Sequence, residues 1–242
     1  MKQTSYPGIY ENEGHLYTKN LIPSSILFGE SILKLNDLEY RQFDPIRSKL
    51  AAGIMKKISK SGIKEDDIVL YLGAAHGYTV SFLSDIIGSK GVIFAVDSAY
   101  KVFRSLFHVS NLRHNIVPIY ADASKPVSYI KNICAVDVIY QDVAQKEQAE
   151  IFDANYSLYA KDGALGMLVV KTRSIDVAEQ PAKVIDSVKK ILHSLSYTIL
   201  ECKNLEPYEK DHALMLVVKG EIIEQKSKEK KLLKRKSSTH TA

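Results

Sequence analysis

The chain of 242 residues has no tryptophan, only two cysteines, and no apolar run near the ~20 residues a membrane helix needs. The last absence argues against a helical membrane protein and against a membrane partner. The cysteines, Cys134 and Cys202, stand apart with neither a C-x-x-C nor a zinc-type spacing. A disulfide framework and a zinc module are therefore not expected. The opening "MKQTSYPGIYENEG" lacks the apolar core of a signal peptide, so a reduced cytoplasmic setting is the expectation. Also missing is G-x-G-x-x-G. In "VLYLGAAHGYTV" the spacing is Gly73-x-x-x-Gly77, which excludes the dinucleotide fingerprint and with it an NAD-linked oxidoreductase.

What remains is ordinary for a soluble α/β protein: 45% hydrophobic and 25% charged residues, with a net charge of +5. The charge is unevenly spread. Seven Lys/Arg and three Glu follow Gly220, which leaves 26 basic and 25 acidic residues in a nearly neutral body. The Lys-rich segment 221–242 reads either as a solubilising extension or as an arm contacting phosphates, which would add salt-dependent affinity.

Residues 1–45 carry short patches such as "GIY", "HLYT" and "SILKL" among Tyr, Gly, Asn and Pro, and predict a small antiparallel β module. "DPIRSKLAAGIMKKI" predicts a helix with Asp44 as N-cap and Pro45 in its first turn. Residues 46–220 then alternate strand and helix. The strands are "IVLYLG", "GVIFAVD", "IVPIY", "VDVIYQD" and "ALGMLVVKT"; the helices lie around 78 to 87, 99 to 112, 145 to 160 and 177 to 195. Continuous Val/Ile/Leu strands joined by helices predict a parallel sheet covered on both faces. "YTILECKNL" and "HALMLVV" follow without a helix between them and predict an antiparallel edge. The fold class is a doubly wound α/β sheet laid out like the S-adenosylmethionine (SAM) methyltransferases.

Ligands of such sheets bind beyond the carboxyl ends of the strands. Gly73 and Gly77 let the backbone pass close to a ligand, and Tyr78 and Thr79 open a helix whose free N–H groups suit a carboxylate or phosphate. Asp97, at the second strand end, suits two ribose hydroxyls. Asp122, after the third, suits an exocyclic amine; Asp142 and Lys171 end the fourth and fifth. Each position alone has a bland reading as a cap or turn. The set favours a nucleoside cofactor, and a loop without the pyrophosphate fingerprint favours SAM.

"VLYLGAAHGYTVS", "GVIFAVD", "NIVPIYADASKP", "VDVIYQDVAQKEQAEIF", "MLVVKTRSID" and "LEPYEKDHALM" resemble the fibrillarin family, block after block over roughly residues 5 to 220. The resemblance implies a 2′-O-ribose methyltransferase of ribosomal RNA, and possibly of tRNA. It would work inside a box C/D guide ribonucleoprotein with a Nop-family scaffold and a kink-turn-binding protein. Pairing of guide RNA with target RNA would choose the nucleotide. The resemblance further implies that Tyr78, Thr79, Asp97, Ser98, Asp122, Ala123 and the segment Asp142, Val143, Ala144, Gln145 contact SAM. It implies a catalytic set of Lys49, Asp142, Lys171 and His212. The chain departs from the family at Tyr78, in place of Thr or Ser, at His76, in place of a small residue, and at Asp97, in place of Glu. It lacks a Gly/Arg-rich N-terminal region, which makes it archaeal in type.

In methyl transfer the leaving group is already good, so the enzyme must align the hydroxyl and help its proton leave. Lys171 could accept that proton or favour its loss electrostatically. A lysine base needs a pKa well below ~10.4, a fall that Lys49 would promote and Asp142 would oppose. His212 reads as a positioning group, and the proton acceptor stays open. With no Trp and no RNP-like aromatic strand, weak RNA binding by the isolated chain is expected. The rival reading, encouraged by the altered loop at His76 and Tyr78, is a structural subunit of the same kind of particle without catalysis.

Overall fold

A computed structural model of the chain describes residues 1–59 and 62–220. The Lys-rich segment 221–242 lies outside the described residues.

The N-terminal strands β1 (Lys2–Gln3), β2 (Ile9–Asn12), β3 (His15–Lys19), β4 (Ile32–Leu35) and β5 (Leu38–Gln42) form an antiparallel sheet in the order β1-β2-β3-β5-β4. Two of its connections are two-residue hairpin turns. Glu13-Gly14 lie at φ 52° and 77°, and Asn36-Asp37 at φ 47° and 63°, the paired positive values that match the twist of flanking strands.

The second sheet contains β6 (Ile68–Leu72), β7 (Val92–Asp97), β8 (Ile116–Tyr120), β9 (Val136–Gln141), β10 (Ala160–Lys171), β11 (Tyr197–Asn204) and β12 (His212–Lys219). Their order is β11-β12-β10-β9-β6-β7-β8, and β12 runs antiparallel to both neighbours. The connecting helices are α1 (Lys49–Met55), α2 (Tyr78–Ile87), α3 (Tyr100–Leu112), α4 (Gln148–Tyr159), α5 (Thr172–Ile175) and α6 (Pro181–Ser194), with a 3-10 helix at Pro126–Asn132. The expected doubly wound sheet with its antiparallel edge is present.

Strand alternation divides the core in two. Val69 and Tyr71 of β6 face α1, α2 and α3, packing among Leu50, Phe82 and Leu106; Leu70 and Leu72 face the opposite layer, with Phe152 of α4 and Leu192 of α6. The helix expected from Asp44 starts later. Asp44 accepts from Ile46 N (2.9 Å) inside a preceding turn, and Ser48 is the N-cap, its hydroxyl accepting from Ala51 N. The fourth-strand connection likewise becomes helical at Gln148 rather than 145, because Gln145 is drawn aside to Asp122. The helix expected from 177 begins at Pro181, since the residue before a proline is disfavoured in the α conformation.

A buried charge network joins the two sheets. Asp85 of α2 accepts from Arg41 of β5 (2.8 Å) and Thr18 of β3 (2.7 Å) on one oxygen, and from Arg113 (2.6 Å) and Leu21 N (2.9 Å) on the other. Arg41 also donates to Glu30 at 2.7 Å. The Arg41, Asp85 and Arg113 side chains are fully buried. Burial pushes the Glu30 carboxyl up, but the Arg41 charge and main-chain amides outweigh it and hold it below the usual range.

Candidate active site

Strand order reverses between β6 and β9, so a crevice opens beyond their carboxyl ends. Gly73, at φ +82°, turns the chain out of β6. A Cβ there would lie 2.6 Å from the Asp142 carbonyl oxygen, so the two strand ends touch at backbone level. Gly77, at φ +89°, is the N-cap of α2 and leaves its first amides uncovered by any side chain.

On the β7 side, Asp97 accepts from Ala75 N through Oδ2 and from Ala99 N through Oδ1, both at 2.8 Å. Each oxygen retains a lone pair for a ligand donor. Asp122 accepts from Ser124 N (2.9 Å) and Gln145 Nε2 (3.0 Å); the Ser124 amide is the main reason its carboxyl titrates below the usual range. The cleft beside Asp97 has a volume of about 420 Å³ and is lined by Gly73, Asp97, Ser98, Ala123, Asp142, Val143, Ala144, Gln145 and Lys171; Asp122 stands outside this lining, behind Gln145. That volume lies within the ~300–1,000 Å³ of small-molecule sites. Small residues, a carboxylate with open lone pairs and glycine turns make a donor set fit for a nucleoside carrying an amino-acid end.

The side chains of Tyr78 and Thr79 point elsewhere. The Tyr78 ring packs edge-on to Phe28 of the β3–β4 connection, under the Arg47 guanidinium (4.1 Å), and its hydroxyl accepts from Asp44 N at 3.4 Å. Thr79 Oγ1 donates to Ser48 Oγ at 3.1 Å, tying the start of α2 to the start of α1. Neither Tyr78 nor Thr79, nor Gly77 before them, is in the lining of the cleft. His76 is exposed, and its carbonyl accepts from Ser105.

At the β9–β10 end the four expected catalytic residues gather. Lys171 Nζ donates to the Asp142 carbonyl at 2.8 Å and lies 2.8 Å from Asp142 Oδ1 as an ion pair; Oδ1 itself receives no aligned hydrogen bond. Lys49, the first residue of α1, places Nζ 3.4 Å from Asp142 Oδ2. His212 stands opposite Lys171 in the β10–β12 register, so the two side chains share a face. Its Nδ1 is 2.6 Å from the Lys210 carbonyl; a carbonyl only accepts, so Nδ1 is the donor in this contact. The Lys171 main chain is fixed in turn by Gln148, which gives Nε2 to its carbonyl and takes its N–H. Beneath, the Tyr71 and Tyr140 rings stack at 4.7 Å, and burial pushes both phenols well above their ordinary range.

Sequence reasoning missed Glu209, whose Oε1 is 3.5 Å from Lys49 Nζ and whose Oε2 is 4.0 Å from His212 Nδ1. It also missed Ser48 and Gln148. The signal for Glu209 was at hand in "PYEKDHA", an acid three residues before the histidine.

The family model described as fibrillarin matches residues 1–221. A fibrillarin-like rRNA/tRNA 2′-O-methyltransferase of Thermococcus sibiricus is 45% identical over 224 residues, covering 90% of this chain and 99% of the relative. The crystal structure of Aeropyrum pernix fibrillarin with natively bound SAM aligns with a TM-score of 0.83 at 39% identity, over 90% of this chain and 96% of that one. A fibrillarin/Nop5p complex contributes a chain that aligns with a TM-score of 0.83 at 38% identity, over 90% of this chain and all of that one, 100%. With the family model matched over residues 1–221 and a relative 45% identical over 90% of this chain, the chain belongs to the fibrillarin family.

Proposed function

We propose that this chain transfers the methyl group of SAM to a ribose 2′-hydroxyl of rRNA or tRNA, as the catalytic subunit of a box C/D guide ribonucleoprotein. The observation that carries the reading is that Lys171, paired to Asp142, lines the same cleft as Asp97. One space thus joins a nucleoside-holding acid to a charged cluster able to act on a hydroxyl. Asp97 receives the ribose hydroxyls; Gln145, with Asp122 behind it, meets the base. Ser98, Ala123, Val143 and Ala144 wall the cleft, while Gly73, Gly77 and the main chain of Tyr78 and Thr79 meet the amino-acid end. Bound there, SAM supplies a methyl carbon activated by a sulfonium leaving group.

An ammonium has three donors; one goes to the Asp142 carbonyl, while Oδ1 pairs with the charge without an aligned hydrogen bond. A remaining N–H can meet the 2′-oxygen and stabilise negative charge as it grows, with Lys49 adding a second positive charge nearby. His212 Nε2 is the acceptor for the departing proton, because Nδ1 is already committed to the Lys210 carbonyl. A Nop-family protein is the scaffold. A kink-turn-binding protein and guide RNA complete the particle and bring the target nucleotide to the cluster.

The rival reading as a non-catalytic subunit rested on Tyr78 and His76. Tyr78 is occupied against Phe28 and Arg47, and His76 is exposed, so neither side chain obstructs the cleft. The deciding experiment is transfer of labelled methyl from SAM to guide-paired RNA in the reconstituted particle, beside a target carrying one 2′-deoxy sugar. Transfer lost with the deoxy target alone is expected; no transfer to either target would favour the structural subunit.

A further inference from the structure

We infer that Glu209 is a positioning residue of the reaction: it holds Lys49 away from Asp142 and thereby reserves Asp142 for Lys171. The inference rests on the methyltransferase reading above and deepens it.

Lys49 Nζ is suspended between two carboxylates, 3.4 Å from Asp142 Oδ2 and 3.5 Å from Glu209 Oε1. Neither distance is that of a tight charge-assisted hydrogen bond, which runs about 2.7–2.9 Å. The ammonium is therefore shared, not bonded to one acid. By contrast Lys171 Nζ sits at 2.8 Å from Asp142. The backbone fixes both supports of Lys49. Helix α1 lies so close to β12 that a Cβ on Gly53 would come within 2.7 Å of Leu214 Cδ2, which sets how far Lys49 can travel. Glu209 is pinned by its own amide, donated to the carbonyl of the fully buried Leu205 at 3.2 Å.

Charge gives the reason for the arrangement. Lys49, Lys171, Asp142 and Glu209 sum to zero, in side chains that are 14–18% exposed. Without Glu209 one carboxylate would answer two ammoniums, and Lys49 would close on Asp142 Oδ2. Asp142 would then be pulled from the geometry in which it orients Lys171, and the cluster would gain a net positive charge. Glu209 itself does not line the cofactor cleft.

The test uses the full chain in the reconstituted particle, comparing wild type with Glu209→Gln, Glu209→Asp, Lys49→Met and the Lys49→Met/Glu209→Gln pair. Glu209→Gln should lower kcat by on the order of 10–100-fold while the Kd for SAM stays within about twofold. Glu209→Asp should restore part of the loss. The double variant should be no slower than Lys49→Met alone, because Glu209 acts through Lys49. A crystal structure of Glu209→Gln should show Lys49 Nζ drawn to about 2.8 Å from Asp142 Oδ2. Wild-type kcat in Glu209→Gln, losses that multiply in the double variant, or an unmoved Lys49 would each overturn the inference. A wild-type particle that transfers no methyl would instead overturn the methyltransferase reading, and the position of Lys49 in the variant crystal would still decide the role of Glu209.

Discussion

Asp97 and Asp122 receive their hydrogen bonds from main-chain amides and one glutamine, whereas the side chain of Asp142 meets the ammoniums of Lys49 and Lys171. The difference separates two tasks within one cleft. Amide donors belong to the backbone and fix an acid's direction without adding net charge. Lysine donors sit on flexible stems and set the local charge as well as the direction. An acid meant to grip a ligand is served by the first arrangement, and an acid meant to manage a reacting lysine by the second.

Lys171→Ala breaks the comparison at its reactive end. Turnover should fall by about 10²–10³-fold, the range for loss of one donor to a developing oxyanion, with the Kd for SAM nearly unchanged by calorimetry. An equal loss of SAM affinity would mean that the two ends are not separate. Asp97→Ala acts on the other end. Each hydrogen bond to a charged group contributes about 1.5–3 kcal/mol, so SAM affinity should drop on the order of 10–100-fold while kcat at saturating SAM persists. Acid titration sharpens the comparison at Asp122. Its folded pKa lies below the ordinary 3.8, so what its charge contributes is complete above pH 3.8 and is lost as pH falls through the lowered value. From this group no change in SAM affinity is expected between pH 5 and 8. Tyr78→Phe should have the smallest effect. It removes one long hydrogen bond, to Asp44 N, and keeps the ring contacts, so a Tm lower by only about 2 °C and unaltered kcat are expected. A large fall in kcat would place the Tyr78 hydroxyl in the reaction after all.

Strands and helices of the large sheet were legible because each is a local pattern. "IVLYL" and "VIFAV" are apolar runs bounded by turns, and α2 opens directly after a glycine. The start of α1 was not, because "DP" resembles a helix start whether the chain enters a helix or a turn, and the cap fell to Ser48. The 3-10 helix "PVSYIKN" carries too short a period to read. Asp142 and Lys171 were visible as strand ends. Glu209 stands three residues before His212, but its pairing with Lys49, 160 positions earlier, is made only by the tertiary fold. The direction of Tyr78 was hidden for the same reason. Its partners Phe28 and Arg47 lie in the connection between β3 and β4 and in the turn before α1.

The buried Asp85 has a consequence for anyone who would cut this molecule. Composition suggests a small β module over residues 1–45, and the last strand of the small sheet ends at Gln42. Yet α2, which follows the Gly73–Gly77 turn, carries in its last turn an aspartate, Asp85, that Arg41 and Thr18 reach from the small sheet. Excising residues 1–45 would strip Asp85 of both and take Phe28 from the Tyr78 ring at the start of the same helix. A truncated catalytic domain is thus expected to express poorly or to bind cofactor weakly, although no residue of the cleft has been removed. The small sheet is less an appendage than a keystone, and a fusion or domain swap at this junction must carry it along.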